Sequence, residues 1–316
     1  MTVHTEIPTC NNICALVISY HPHVSIAEKL FELARQVKHI VIVDNASNVF
    51  SKVTLASTVE KITNVHIIYN KINVGQAAAL NIGIEYIQKS DYKWILTLDQ
   101  DSLISERFVK NMAETYQMTN AEGLIGSICP ILSSYDGIHC PKHEDIMLRT
   151  FSGAAIEGRY SFVQLAITSG NLINIDLFRL IGIFEEGFFI DYVDQEFSLR
   201  LGQAGYKILQ CNNTVLYHNI GNTTVHSFFG KPTLVANNSS VRSYYYYRNG
   251  IMVYKRYFLR NFRWVLRDVI KGFTFNFVKI LLFESDRRNK LRKIFLGIAH
   301  GFSNRIGPYN DSRKSI

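Results

Sequence analysis

Short, mainly apolar runs of residues recur along most of the chain before its C-terminal region, and segments with helical spacing separate them. Four of the runs are Ile13–Ser19, His39–Asp44, Val65–Tyr69 and Trp94–Leu98. A run without polar alternation predicts a strand that is buried on both faces. Between the runs, Val24–Val37 and Gln76–Gln88 place apolar residues on one helical face. This alternation predicts an α/β fold with a mostly parallel sheet flanked by helices.

The region after the fourth strand is less regular. Phe162–Thr168 predicts a further strand, and a helix is predicted from about Tyr192 to Ala204. Gly205 is placed to end that helix, because glycine readily adopts the left-handed conformation that follows many helices. Tyr206–Gln210 then predicts another strand.

Polar side chains follow the predicted strands at the point where each ends. They are Ser19, Tyr20, Asp44, Asn45, Asn70, Asp99 and Asp101. In open α/β sheets, ligands bind beyond the carboxyl ends of the strands. Asp99 and Asp101 are two positions apart, so their carboxylates can converge on one hard cation and serve chemistry on a phosphate-bearing substrate. The alternative for this pair is an ordinary polar turn after a strand.

The segment Asn73–Asn81 enters a helix through Gly75 and carries several alanines. A helix N-terminus in this position could face a diphosphate or a nucleoside. The segment lacks the spacing of a Walker loop and of a dinucleotide-binding fingerprint. The alternative is an alanine-rich helix that only packs against the sheet.

Three acids, Asp191, Asp194 and Glu196, lie at the start of the predicted helix. Acids there favour the helix dipole, and Arg200 can pair with Glu196 at the i+4 position. These structural roles do not account for Asp194. A carboxylate beside a metal and phosphate site can accept the proton of an attacking hydroxyl, so Asp194 is a candidate general base.

In this order and at this spacing, the residues resemble the inverting family-two glycosyltransferases of the GT-A fold, over residues 13 to about 220. The matching positions are Ser19, Tyr20, Asp44, Asn45, Asn73, Gly75, Asn81, Asp99, Asp101, Asp194, Glu196, Arg200 and His218. Within the family, Leu96–Ser102 and Ile167–Gly170 look most like bacterial rhamnosyltransferases of surface polysaccharide synthesis. The resemblance implies a GT-A catalytic domain, placed at residues 1–230.

The resemblance also implies a role for each position. The donor nucleotide and sugar would be bound by Ser19, Tyr20, Asp44, Asn73, Gly75, Asp99, Ser169 and Gly170. Asp44 would contact the nucleoside base, and Ser169 and Gly170 would line the sugar pocket. Mg²⁺ or Mn²⁺ would be held by Asp99 and Asp101, with His218 as a further ligand that some relatives use. A lone histidine can also be structural.

The reaction that the resemblance implies is metal-dependent, inverting transfer of a sugar from a nucleotide-sugar donor. The donor would be dTDP-rhamnose, and the acceptor a lipid-linked or polysaccharide glycan in O-antigen or capsule synthesis. Asp194 would be the general base, supported by Asp191, Glu196 and Arg200. An alternative within the fold is another hexosyltransferase that uses a UDP-sugar. A sugar nucleotidyltransferase is disfavoured, because Tyr20–Pro22 replaces the glycine-rich basic loop that it needs.

Basic residues are concentrated at the C-terminal end of the chain. Residues 251–316 contain 15 Lys or Arg and 4 Asp or Glu, whereas the remainder contains 19 and 22. Aromatic residues are interleaved with the basic ones from Tyr244 onwards. Such helices favour peripheral membrane contact, here through residues 244–300 of a C-terminal region at 231–316. The alternative is a pair of helices that pack on the catalytic domain with a solvated basic face.

A rival of a different class is a basic nucleic-acid-binding or scaffold protein, because basic and aromatic interleaving also suits nucleic acids. No RNA- or DNA-binding signature accompanies it, so nucleic acid is not expected as a partner. A membrane-spanning helix requires a run of about 18 apolar residues, and the sequence contains no such run. The five cysteines are scattered, which predicts reduced thiols. The reduced thiols, the lack of a membrane-spanning run and the implied lipid-linked acceptor together predict a cytoplasmic enzyme that is peripheral at the inner face of the plasma membrane.

Overall fold

The computed structural model describes residues 6–119, 124–134, 158–218, 223–228 and 230–310. The chain divides into two compact units. Unit 1 comprises Met1–Phe184 and Phe197–Asn219, and unit 2 comprises Glu185–Glu196 and Ile220–Ile316. The boundary expected at residue 230 therefore differs from this division, in which the short segment that carries Asp194 belongs to unit 2.

Nine strands form a single sheet among the described residues of unit 1. They are β1 (Ile13–Ser19), β2 (His39–Asp44), β3 (Val65–Tyr69), β4 (Trp94–Asp99), β5 (Leu103–Ile104), β6 (Ile125–Ser134), β7 (Tyr160–Val163), β8 (Asn171–Asn174) and β9 (Lys207–His218). Their order is β3-β2-β1-β4-β8-β6-β9-β5, with β7 also paired to β9. The first four strands are mutually parallel, which confirms the predicted parallel sheet.

Helices flank the sheet in sequence. They are α1 (Ile26–Ala34), α2 (Val49–Val59), α3 (Gln76–Ile87), α4 (Phe108–Met118), α5 (Ile175–Leu180) and α6 (Val193–Gln203). The helix α2 was not predicted, because its apolar residues Val49, Phe50 and Val53 are exposed rather than gathered on a buried face. The continuous apolar strands form the core, where Ile13, Ile40 and Trp94 are fully buried.

The strand predicted at Phe162–Thr168 is wrong in its position. The structure has two short strands instead, β7 and β8, and β8 pairs antiparallel with β4. All four residues of β8 are buried although asparagine stands at both of its ends. The sequence pattern missed β8 because burial in the sheet, and not local propensity, selects the strand here.

Unit 2 contains a two-stranded hairpin and a group of helices. The hairpin is β10 (Thr224–Phe228) and β11 (Lys231–Val235), and the helices are α7 (Ser240–Tyr257), α8 (Phe262–Asp268), a π-helix (Val269–Thr274), α9 (Phe275–Phe283) and α10 (Arg287–Phe302). Tyr247, Ile280 and Ile294 are buried together at its centre. Among the described residues, none of the helices is both long and apolar enough to cross a bilayer.

The structure changes the interpretation of the aromatic stretch that begins at Tyr244. Five of its six residues, Tyr244, Tyr245, Tyr247, Arg248 and Asn249, are buried within unit 2. This part of α7 therefore does not present a free face to a membrane, and the predicted membrane contact through residues 244–300 stays a prediction. After this stretch, the first large apolar side chains that are exposed are Phe258 and Leu259, beyond the end of α7.

Candidate functional site

The carboxyl ends of the parallel strands bring the predicted polar residues into one row. Ser19 at the end of β1 is paired in register with Asp44 at the end of β2. On the other side of β1, Ile18 is paired with Asp99 at the end of β4. Because parallel strands end at the same edge of the sheet, Asp44, Ser19 and Asp99 are neighbours there.

Three potential metal ligands meet at this edge. One ligand atom from each of Asp99, Asp101 and His218 lies within 4.8 Å of the others. The short strand β5 pairs antiparallel with the end of β9, with Leu103 opposite Tyr217. This pairing returns His218, the last residue of β9, to the two carboxylates.

The electrostatic state of Asp101 suits a cation. Its Oδ1 atom is buried, accepts no hydrogen bond among the described residues and lies 3.9 Å from Nδ1 of His218. Leaving a buried carboxylate oxygen without a donor is costly unless a positive charge compensates it. Two carboxylates with one imidazole are a donor set that Mn²⁺ or Mg²⁺ accepts. The three residues therefore fit a divalent metal.

Lys29 of α1 is a nearby cation that the sequence did not predict. It is buried, and burial lowers the pKa of its ammonium group, while the carboxylates of Asp101 and Glu28 oppose that shift. The only signal in the sequence was a lysine on the buried face of an amphipathic helix. A positive charge at this position offsets part of the repulsion between the clustered acids.

Two serines hold the metal-site residues in place. The Ser102 hydroxyl is 2.8 Å from Nδ1 of His218 and 2.7 Å from the Ser169 hydroxyl, which in turn accepts the backbone N–H of Asp99 at 3.0 Å. A hydrogen bond to a ring nitrogen fixes the orientation of a histidine. Ser169 is buried, and the next residue, Gly170, has a φ of +77°. Their predicted role in the sugar pocket stays a prediction.

Asp44 is buried in a way that leaves one oxygen unused. Its Oδ1 atom accepts the backbone N–H of Ser47 at 3.0 Å, and Lys52 Nζ is 4.0 Å away. Its Oδ2 atom is buried without a hydrogen-bond donor among the described residues. Lys52 also lies over the ring of Tyr69, whose pKa is raised by burial and by Asp44. An N–H of a ligand is the kind of donor that Oδ2 lacks.

The loop before α3 is organised by Asn45. Its amide donates to Asn73 Oδ1 at 3.0 Å and to the Gly75 carbonyl at 3.3 Å, and its oxygen accepts the backbone N–H of Val74 at 3.0 Å. Asn73 Oδ1 also accepts the backbone N–H of Gly75, which has a φ of +87°. The side-chain Oδ1 atom of Asn73 therefore closes the loop. The predicted contact of Asn73 with the donor stays a prediction.

Asn81, the last residue of that motif, has a structural role. It is buried, donates to the Phe184 carbonyl at 2.9 Å and accepts the Phe184 N–H at 3.0 Å. The side chain thus pairs with a backbone far away in the sequence, as a neighbouring strand would.

Gln100 was missed by the sequence analysis, although it stands between Asp99 and Asp101. Its side-chain oxygen accepts the backbone N–H of Tyr20 at 2.7 Å and the Ser19 hydroxyl at 3.3 Å, and its amide donates to the Tyr20 carbonyl at 2.9 Å. The end of β1 is therefore fixed to the acidic turn through the residue between the two acids.

The remaining predicted acids lie in unit 2. Asp194 is the second residue of α6 and accepts the backbone N–H of Gln195 at 3.1 Å. Asp191 forms a two-pronged ion pair with Arg242 at 3.1–3.3 Å. Glu196 is buried and accepts from Arg256 at 3.0 Å and from the hydroxyl of Tyr257 at 2.8 Å.

Arg256 also pairs with Glu185 at 3.2 Å. Burial lowers the pKa of Arg256, but the two glutamates outweigh it, so that the pKa is raised overall.

Within unit 1, Arg200 donates to the carbonyls of Ile181 at 2.5 Å and Ile183 at 2.9 Å. The ion pair predicted between Glu196 and Arg200 stays a prediction.

Comparison with known proteins identifies the family of this chain. Residues 14–170 match the family model described as "Glycosyl transferase family 2". The chain belongs to glycosyltransferase family 2. It is 29% identical to the dTDP-rhamnosyl transferase RfbF of Shigella flexneri over 287 residues, which cover 89% of this chain and 91% of that protein. It is 24% identical to the low-salt glycan biosynthesis hexosyltransferase Agl10 of Haloferax volcanii over 217 residues, which cover 66% of this chain and 67% of that protein.

Solved structures agree on the fold. The mannosyltransferase PcManGT from Pyrobaculum calidifontis, in complex with GDP-Man and Mn²⁺, aligns with a TM-score of 0.57 at 12% identity, over 92% of this chain and 75% of that one. The fold is GT-A, as the resemblance implied, and helices are present in the C-terminal region.

Proposed function

We propose that this glycosyltransferase moves L-rhamnose from dTDP-rhamnose onto a hydroxyl of a glycan acceptor, with inversion at the anomeric carbon. The observation that carries the proposal is the cluster of Asp99, Asp101 and His218 at the edge of the sheet. The similarity to a dTDP-rhamnosyl transferase over most of both chains supports the donor.

The donor nucleotide is proposed to bind along the row of strand ends. The unused, buried Oδ2 atom of Asp44 accepts an N–H of the base, which thymine and uracil both offer. Ser19 and Tyr20, fixed by Gln100, line the approach to the ribose. The loop that Gly75 opens into α3 presents a helix N-terminus, which favours a negatively charged diphosphate.

Asp99, Asp101 and His218 are proposed to hold Mg²⁺ or Mn²⁺. When bound, the metal would neutralise negative charge on the departing nucleoside diphosphate. The orphaned Oδ1 atom of Asp101 supports this assignment. Ser102 keeps the imidazole of His218 turned for the purpose through its 2.8 Å hydrogen bond.

Asp194 is proposed as the general base, on the strength of its place in the family motif. Its carboxylate takes the proton of the acceptor hydroxyl as the oxygen forms a bond to the anomeric carbon. The bond from that carbon to the diphosphate oxygen breaks at the same time, and its electron pair leaves with dTDP. A base of this kind contributes roughly 10²–10⁴-fold to the rate, so Asp194→Asn should lower kcat by that order while donor affinity is kept.

The acceptor is proposed to be a lipid-linked glycan, which places the enzyme peripherally at the inner face of the plasma membrane. The supporting surface runs from the end of α7 through α8 and the π-helix. Its exposed apolar side chains are Phe258, Leu259, Phe262, Leu266 and Ile270, and its basic ones are Arg260, Arg263, Arg267 and Lys271. Leu259 is 93% exposed. Apolar side chains among cations suit an anionic bilayer surface.

The decisive experiment is turnover and binding with a panel of sugar nucleotides in Mg²⁺, Mn²⁺ or EDTA, for the wild type and Asp101→Ala. Metal-dependent use of dTDP-rhamnose that is lost in the variant is the expected result. The similarity to a hexosyltransferase supports a second candidate, transfer from a UDP-sugar, which a preference for UDP-glucose over dTDP-rhamnose would select. If no donor in the panel binds in a metal-dependent way, the proposal is overturned.

The membrane surface has a separate test, sedimentation with phosphatidylcholine vesicles that contain or lack phosphatidylglycerol. The double variant Leu259→Asp, Phe262→Asp should lose most of its binding to the anionic vesicles. Val225→Asp is the matched control, because Val225 is an exposed apolar residue elsewhere in unit 2, at 68% exposure. Unchanged binding of the double variant would remove this surface from the proposal.

A further inference from the structure

The segment immediately before α6 has a backbone that side chains other than glycine rarely adopt. Phe189, Asp191 and Tyr192 have φ values of +66°, +63° and +62°. None of the three is glycine, so each position is strained and persists only where its surroundings hold it. Val193 follows directly as the first residue of α6, and Asp194 is the second.

Asn249 of α7 holds this segment through its side-chain amide. The Nδ2 atom lies 2.9 Å from the Phe188 carbonyl, 2.8 Å from that of Ile190 and 2.9 Å from that of Asp191. Asn249 has no exposed surface. Its place inside a helix is otherwise unfavourable, since asparagine is a poor helix former.

Arg248, the preceding residue, holds the entrance to the segment. Its guanidinium donates to the carbonyls of Gly187 at 2.7 Å, Phe188 at 3.1 Å and Gly307 at 2.6 Å. Arg248 is 1% exposed, and the rings of Tyr244 and Tyr245 lie 5.3 and 4.9 Å from it. The buried guanidinium of Arg248 therefore binds backbone carbonyls rather than a carboxylate, which is unusual for a buried arginine.

The side chains of the strained segment are fixed by unit 2 as well. Asp191 is gripped by Arg242 near the start of α7. The Tyr192 hydroxyl donates to Asp268 at 2.7 Å and lies 2.9 Å from the hydroxyl of Tyr254. The segment is therefore fixed by its backbone and by its side chains at once.

We propose that Arg248 and Asn249 are positioning residues for catalysis: they hold the strained Phe189–Tyr192 segment so that Asp194 is presented in its reactive orientation. The inference rests on the proposed role of Asp194 as general base. A carboxylate on the first turn of a helix points where the preceding residues direct that turn, and small misplacements of a catalytic group are costly in rate. Relaxing the segment would turn Asp194 without removing it.

The test compares Asn249→Ala and Arg248→Lys with the wild type in kcat, KM for dTDP-rhamnose and calorimetric affinity for dTDP with Mn²⁺. Both variants should lower kcat about 10- to 100-fold while donor KM and dTDP affinity change less than about twofold. Lys290→Met is the matched control. It breaks a buried ion pair with Glu284 elsewhere in unit 2 (2.6 Å), so it should lower stability while leaving the hydrogen bonds of Arg248 and Asn249 in place.

A double variant separates positioning from loss of stability. If Asn249 acts through Asp194, then Asp194→Asn combined with Asn249→Ala should be no slower than Asp194→Asn alone. A further 10-fold loss in the double variant, or an equal loss of kcat in Lys290→Met, would overturn the inference. Full activity of Asp194→Asn would instead refute the proposed base, so the two failures are distinguishable. Should Asn249→Ala fail to fold, Arg248→Lys carries the same comparison.

Discussion

The proposed contact between Asp44 and the nucleoside base is open to a sharp test, because only one of the two carboxylate oxygens is already used. In Asp44→Asn, one of those two acceptor positions becomes an NH₂ group. Either the backbone N–H of Ser47 or the N–H of the base then faces a donor instead of an acceptor. The substitution keeps the size of the side chain, so it changes the hydrogen bonding and the charge but not the packing.

The expected loss follows from the kind of bond removed. A hydrogen bond to a charged acceptor contributes about 1.5–3 kcal/mol, and 1.4 kcal/mol corresponds to a tenfold change in affinity. The Ser47 bond lies within the turn that positions Asp44, so the amide oxygen is expected to stay with it. The affinity for dTDP and for UDP should therefore fall about 10- to 150-fold.

Calorimetry with dTDP, UDP and CDP in Mn²⁺ gives the measurement and an internal comparison. The N3 atom of cytosine is an acceptor and gains nothing from Asp44, so binding of CDP should weaken less in the variant than binding of dTDP or UDP. The control is Lys52→Ala, which removes the cation 4.0 Å from Oδ1 but keeps the carboxylate, and should bind dTDP no more weakly than the wild type. Unchanged dTDP affinity in Asp44→Asn, or an equal loss for CDP, would refute the reasoning.

Three further outcomes are expected. Asn81→Ala should lower the free energy of unfolding by about 2–4 kcal/mol in urea titrations, because a buried backbone N–H and C=O lose their partners. Arg256→Ala should cost about 2–4 kcal/mol, since it strips a buried glutamate of a cation, whereas Glu185→Gln, at the exposed end of the same guanidinium, should cost less than about 1 kcal/mol. Burial raises the pKa of Cys14 and Cys129 to about 12, so their thiols should resist iodoacetamide at pH 8 until the protein is unfolded, which peptide mass spectrometry can follow.

The parallel half of the sheet was predictable because its signal is local. A strand covered on both faces is apolar at nearly every position. β1 and β2 each contain such a run, and in β4 the run up to Leu98 is interrupted only by Thr97. The antiparallel half lacks such a signal. β8 is only four residues long with asparagine at both ends, and what makes it a strand is its pairing with β4. That pairing joins segments far apart in the sequence, which no local pattern reports.

The candidate site divides along the same line. Asp99 and Asp101 were predictable because strand ends in such a sheet carry the ligands, and the pairing of β5 with β9 supplies the physical reason that His218 joins them. Lys29 and Gln100 were not predictable, since each acts across strands or helices through one side chain. Side chains of this kind are chosen by the assembled edge and not by the elements that carry them.

The sequence of the aromatic and basic start of α7 fits both a membrane-facing helix and a buried one, and two of its residues distinguish the two cases. Tyrosine and arginine suit both a membrane interface and a buried scaffold, because each has an apolar body and a polar end. Asn249 and Gly250 do not share that ambiguity. Both weaken a helix, and an interfacial helix gains nothing from them. In the structure a Cβ atom on Gly250 would lie 3.1 Å from the ring of Tyr192, while Asn249 binds the backbone that leads to it. An Asn–Gly pair inside such a helix therefore predicts a closely packed partner segment, and here that segment is the one that leads to Asp194.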